Sequence, residues 1–168
     1  MEEEIINRVT NSSLVVVDLE DYYPKGNRSI IDIKDWLYEE LVLREKDFRE
    51  HVKQYDWSKY QDDYVALTCT SDAIVPAWAF MLLTMELQPY AKKIVLGSLE
   101  QLETAIYQDI IQNMNVSEFQ DKPLIIKGCS NKPVPANAYI LLSQKLKPIA
   151  KSIMYGEACS SVPLYKRK

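Results

Sequence analysis

Glycine is scarce here, with four residues in a chain of 168. A phosphate-cradling loop needs several glycines at fixed spacing, and neither a P-loop nor a dinucleotide fingerprint is present. Histidine occurs once, as His51. It lies in an amphipathic segment and reads as a surface residue, so a serine or cysteine nucleophile has no histidine base to pair with. Long apolar runs are missing too. The longest, Ile74 to Leu83, is far below the roughly 20 residues that span a bilayer. The first residues, Met1-Glu2-Glu3-Glu4, are acidic and carry no leader pattern. A cytoplasmic protein with no membrane partner is expected. Basic excess is absent, because the net charge is -4. Nucleic-acid binding relies on basic patches that displace counterions, so none is expected. The basic end Lys166-Arg167-Lys168 reads as a solvated tail.

Cysteine is also sparse, with three residues: Cys69, Cys129 and Cys159. An odd number in a reducing compartment argues against a disulfide framework. Buried thiols, metal ligands or a reactive thiol remain.

What is present is alternation. Leu14–Asp18 is a β-branched run ended by an acidic turn, and Ser29–Ile33 reads as a second, shorter strand. Arg44–Tyr55 has the spacing of an amphipathic helix. Then come a strand at Tyr64–Thr68, a helix from Pro76 to its stop at Pro89, and a strand at Ile94–Leu96. A helix over Leu99–Asn113 and a strand at Leu124–Lys127 follow. A helix between Pro135 and Pro148 and a last strand at Ile153–Tyr155 complete the series. Such order predicts an α/β fold with a mainly parallel sheet flanked by helices and right-handed crossovers. The helix after Pro76 is apolar on nearly all sides, which predicts neighbours covering more than one face. No linker or low-complexity tract divides the chain. It reads as one domain over residues 1–168, with 1–63 supplying N-terminal strands and the amphipathic helix and 64–168 a βαβ core.

That core contains a repeat. VPAWAFMLLTMELQPYAKKIVLG (Val75–Gly97) and VPANAYILLSQKLKPIAKSIMYG (Val134–Gly156) agree at twelve of twenty-three positions without a gap. Each follows a strand-like run ending in cysteine, YVALTC to Cys69 and LIIKGC to Cys129. The fold is thus expected to contain a duplicated β-Cys-Val-Pro-α-β unit. Cys159 follows the strand that closes the second copy, and its tail again reads Cys-Ser-Ser-Val-Pro.

In parallel α/β sheets ligands bind outside the carboxyl ends of the strands. A cysteine near a helix N-terminus is pushed toward thiolate, which is both metal ligand and nucleophile. If all the strands share one sheet, Cys69, Cys129 and Cys159 share one edge and form a three-cysteine site for an iron–sulfur cluster or zinc. Asp72, near Cys69, and Glu100, at the repeat position of Cys159, are candidate further ligands. The spacings match no standard metal motif. Free cysteine is often only a small buried hydrophobe, and a duplicated packing unit copies such a residue just as readily. Asp18, Glu20 and Asp21 could hold a hard cation, although acidic turns are usually just solvated.

Several stretches carry a resemblance: Asp32-Ile33-Lys34-Asp35-Trp36-Leu37, Tyr64 to Cys69 with Asp72 to Pro76, Lys132-Pro133-Val134-Pro135, and Gly156-Glu157-Ala158-Cys159-Ser160. Over essentially its whole length the chain resembles an uncharacterised bacterial family of Bacteroidetes, domain of unknown function 2480. That family assigns no activity and no residue role. The resemblance implies an association with gene clusters for sulfur-mobilisation-type iron–sulfur assembly, and hence iron–sulfur assembly proteins as partners. Three expectations follow. The first is an accessory to iron–sulfur assembly or metal handling. The second is a non-catalytic interaction domain with structural cysteines, and the third a single-thiol enzyme or sulfur carrier. A homo-oligomer is compatible with each.

Overall fold

The computed structural model describes residues 13–128 and 131–168. In chain order the elements are β1 (Val15–Val17), β2 (Arg28–Asp32), α1 (Glu45–Gln54), β3 (Tyr64–Thr68), α2 (Ala77–Leu87) and β4 (Lys93–Leu96). They continue with α3 (Leu99–Asn113), β5 (Pro123–Ile126), α4 (Ala136–Leu146), β6 (Ser152–Glu157) and β7 (Ser160–Lys166). The fold is mixed α/β with sheets rich in parallel pairs. Among the described residues no helix is long and apolar enough to cross a membrane.

The chain forms two compact units. A central unit comprises Pro24–Ile106, and a terminal unit takes the described residues within Met1–Tyr23 and Tyr107–Lys168. Each has its own sheet. The central one has the order β2-β3-β4 and the terminal one β1-β5-β6-β7. The expectation of one mainly parallel sheet is therefore corrected. The strands lie in two sheets, and β7 returns antiparallel to β6.

In the central unit both strand pairs are parallel. Tyr64–Thr68 supplies Val65, Ala66 and Leu67, all buried, as a middle strand covered on both faces should. Helix α1 buries Phe48 and Val52, which lie four residues apart on one face. Trp57 fixes its far end by donating its indole N–H to the Val52 carbonyl at 2.9 Å. Helix α2 buries Ala79, Leu83 and Leu87 against the same core. Pro76 stands just before α2 in extended backbone and is not its first helical residue.

Among the described residues, coverage of α2 leaves one side open. Met81 and Met85 are 62% and 58% exposed. The helix is apolar nearly all round; Trp78, Phe80 and Leu82 are half-buried beside the Ala79–Leu83–Leu87 face, and the side with Met81 and Met85 is open.

The terminal unit packs α4 through Ala138, Leu142 and Leu146 onto Leu124, Ile126 and Ile153. Helix α4 has the same length as α2, eleven residues, and is also preceded by an extended proline, Pro135. The β6–β7 hairpin closes on two residues, Ala158 and Cys159, between the Glu157–Ser160 pair. Strand β7 is an edge strand carrying Pro163, and its pairing is irregular between Ile153 and Met154. Proline has no N–H for a ladder and is confined in sheets to such edges.

Candidate functional site

The carboxyl ends of the parallel strands are the natural place to look for chemistry. In both units an aspartate ends the edge strand that pairs with the middle one. Asp32 closes β2 and reaches the segment after β3. One of its carboxylate oxygens accepts the Thr70 N–H at 3.1 Å, and the other accepts the Thr70 hydroxyl at 2.5 Å. The first oxygen also accepts the Lys34 N–H at 3.1 Å. Burial pushes the Asp32 carboxyl up, but the Thr70 and Lys34 donors outweigh it and hold it below the usual aspartate value.

Asp18 follows β1 in the same way. It accepts the Glu20 N–H at 2.9 Å and the Lys127 ammonium at 2.7 Å. Burial again opposes ionisation, and the Lys127 and Glu20 bonds win, so this carboxyl also titrates low. Glu20 extends the brace: one carboxylate oxygen accepts the Lys132 N–H at 2.7 Å and the Asn131 N–H as well. Both Asp18 oxygens and one Glu20 oxygen thus accept internal donors, and the bonds from Lys127, Asn131 and Lys132 tie the turn to the segment after β5.

The predicted site residues fall as follows. Cys69 leaves β3 half-buried, with its sulfur 3.2 Å from the Ser71 hydroxyl. Cys129 lies outside the described residues; its described neighbours Lys127 and Asn131 are the ones braced by Asp18 and Glu20. Cys159 is exposed at the tip of the β6–β7 hairpin. Asp72 is exposed and lines a groove described below. Glu100 stands exposed in the first turn of α3. Cys69, Asp72 and Glu100 belong to the central unit, and Cys159 to the terminal one. Among the described residues no three His, Cys, Asp or Glu side chains are grouped to hold a metal ion. His51 is exposed on α1, its ring 5.7 Å from that of Trp36.

A second feature of the central unit went unread in the sequence. Tyr38 and Val42 pair backbone to backbone at 2.8 and 3.0 Å, closing a tight turn. Glu39 and Glu40 take left-handed backbone there, with φ of 50° and 57°. Non-glycine residues rarely adopt that conformation, and such strain persists only where the surroundings enforce it. Its product is a turn that holds Leu41 and Val42 out in solvent, each more than half exposed.

Beside the turn stands Ile74, 94% exposed. Leu41, Val42, Leu43, Ile74, Pro76 and Trp78 line one open groove of about 570 Å³, whose only charged walls are Glu45 and Asp72. Trp78, half-buried with its ring edge-on to Phe48, borders the exposed face of α2. Met81 and Met85 follow it three and seven residues on, which puts all three on one helix face. Groove and stripe form one apolar surface. A run of Ile-Val-Pro and scattered methionines gives little warning of it, because the same residues would suit a core.

Across residues 3–167 the chain matches the family described as protein of unknown function DUF2480, and it belongs to that family. No curated protein and no solved structure matches it.

Proposed function

We propose that this member of a family of unknown function is a cytoplasmic, non-catalytic interaction protein that docks a partner on the groove and the α2 stripe of its central unit. One observation carries the reading: Ile74 stands exposed in the groove lining, and Met81 and Met85 stand exposed on the same side of α2 as the groove residue Trp78. A contiguous exposed apolar surface on a folded chain marks an interaction site, and methionine suits it by adapting its shape. The test places a photo-crosslinking amino acid at Ile74, at Met85 and, as control, at exposed Glu118 in living cells of the native host. The same discrete adduct at the first two positions and none at Glu118 supports docking. Equal yields at all three sink it.

A second reading uses the thiols, as an accessory to iron–sulfur cluster assembly or metal handling through Cys69, Cys129 and Cys159, with iron–sulfur assembly proteins as partners. What favours it is the bracing at the carboxyl strand ends, where Asp32 holds Thr70 next to Cys69, and Asp18 and Glu20 hold the residues flanking Cys129. Pre-organised loops are what a ligand site needs. Anaerobic reconstitution with iron and sulfide, followed by visible absorption, decides it. Binding unchanged in each Cys→Ser variant rules the reading out. A single-thiol or sulfur-carrier role draws on Cys159, whose hairpin position is open to solvent.

The duplicated unit belongs to the same set of proposals. It is supported by register: Tyr64 pairs with Lys93 as Pro123 pairs with Ser152, and Leu67 with Leu96 as Ile126 with Tyr155. In that alignment Cys69 corresponds to Gly128, and Cys129 to Thr70. The copied part is then the strand–Val-Pro–helix–strand frame, with the two cysteines arising separately.

A further inference from the structure

We infer that the occupant of this surface is a basic amphipathic helix presented by a partner protein. The inference rests on the docking reading above and adds the chemistry of the partner.

Shape comes first. The side chains follow helical spacing: half-buried Trp78 and exposed Met81 and Met85 lie three and four residues apart along α2. A second helix packs against such a stripe by setting its own apolar side chains between them, with anchors at the same spacing. The stripe runs for two turns and ends in the groove at Ile74 and Leu41, which can take one more anchoring side chain. An extended peptide would pair instead with a sheet edge, and the stripe lies on a helix.

Charge then selects the partner. From Cys69 to Ala91 the chain contains no lysine, arginine or histidine; its only charges are Asp72 and Glu86. The strained turn adds Glu39 and Glu40, both exposed. Two cations lie nearby. Arg49 bonds Glu45 at 2.9 Å and lies over the Trp78 ring at 5.3 Å, while Arg44 stacks on the Tyr38 ring at 3.3 Å. Around the apolar surface Glu39, Glu40, Glu45, Asp72 and Glu86 thus outnumber Arg44 and Arg49, and the balance of these charges is negative. Complementary potential favours a lysine- or arginine-bearing segment and disfavours an acidic one. An anionic membrane is disfavoured for the same reason.

The probe is a fluorescein-labelled leucine–lysine peptide of about 18 residues, five helical turns, with leucine on one face. Fluorescence anisotropy with the full chain measures its binding. Two further peptides accompany it: one with glutamate replacing lysine, and one with the leucine–lysine order scrambled to destroy the apolar face. The amphipathic leucine–lysine peptide is expected to bind, more weakly as salt rises, and both others at least about tenfold more weakly. Replacing both methionines (M81S with M85S) should cost a similar factor, and D72N with E86Q should flatten the salt dependence. Equal binding of the glutamate or the scrambled peptide overturns the inference, and so does undiminished binding by the double serine variant. Self-association of the parent that Ile74→Ser abolishes would make the occupant a second copy, and overturns it too. Binding to phosphatidylcholine vesicles lost in the serine variant does the same in favour of lipid. Crosslinks at Ile74 without peptide binding would leave docking standing and remove only the basic helix.

Discussion

Arg28 donates through Nε to Glu103 at 2.6 Å, and the two side chains are only 12% and 8% exposed. The pair joins β2 to the first half of α3 within the central unit. Arg28 donates through Nη2 to the other Glu103 oxygen at 3.4 Å and through Nη1 to the Pro24 and Gly26 carbonyls at 2.9 and 2.7 Å, and its guanidinium lies over the Tyr64 ring. Removing one member leaves a buried charge without its counterpart, which costs about 3–5 kcal/mol. Glu103→Ala should therefore lower the urea midpoint strongly, whereas Glu118→Gln on the surface should move it by less than about 0.5 kcal/mol. Replacing both partners together, Arg28→Met with Glu103→Leu, should cost less than the two single losses combined.

Acid should weaken the braces at the strand ends. Asp18 and Asp32 both titrate below their unfolded values, each against an opposing push from burial. Such groups stabilise the fold fully above the unfolded carboxyl value of about 3.9, and the contribution fades as pH falls through their folded values. Urea midpoints followed from pH 6 downward should drop more steeply in the parent than in Asp32→Asn or Asp18→Asn. A variant with the parent's slope would show that the carboxylate is not the group responsible.

Lys145 on α4 closes the end of α3. Its ammonium donates to the Ile111 and Gln112 carbonyls at 2.6 and 2.8 Å. Those carbonyls belong to the last turn, where no intrahelical donor reaches them and where the helix dipole favours a cation. Lys145→Met keeps most of the stem and loses the cap. We expect a loss of about 1 kcal/mol, with amide exchange at the end of α3 speeding up before the rest of the helix.

The two faces of α2 should respond in opposite ways. Leu83 is fully buried and Met81 largely exposed. Leu83→Ala opens a cavity and should cost about 2–5 kcal/mol. Met81→Ala should be close to neutral in thermal unfolding while weakening whatever docks there.

Thiol labelling of the native chain separates two cysteines directly. Cys159 at the hairpin tip is exposed, and Cys69 is half-buried beside the Ser71 hydroxyl. Under a limiting maleimide, mass spectrometry of peptides should find Cys159 modified first. Faster reaction at Cys69 would point to an activated thiol in its braced loop.

Much of the fold was legible because its signals are local. Tyr64–Thr68 and Leu99–Asn113 coincide with their predicted ranges, since β-branched runs and clean 3.6-residue spacing need no distant partner. Strand β7 was missed. Cys159-Ser160-Ser161-Val162-Pro163 resembles the earlier cysteine-to-proline segments, which precede helices, and Pro163 weakens any strand signal. The two-sheet arrangement depends on pairings such as Val17 with Ile126, more than a hundred residues apart, which no local pattern encodes. The apolar surface escaped for a different reason. Burial of Met81 and Ile74 is decided by what packs on them, and in sequence an uncovered apolar side chain looks like a covered one.

The interleaving of the two units sets a timetable for synthesis. Residues 24–106 are contiguous, and their core draws on Ile31 through Ile94, so everything that core needs has been made once that stretch leaves the ribosome. Strand β1 is made earlier, yet its sheet partner among the described residues, β5, starts at Pro123. At usual translation rates Val15–Val17 waits roughly 5–20 s for its neighbour. During that interval the nascent chain carries a short apolar β-branched segment with nothing to pair with. Any slowing of translation between β4 and β5 would lengthen that interval and raise the demand for a chaperone at the amino-terminal end.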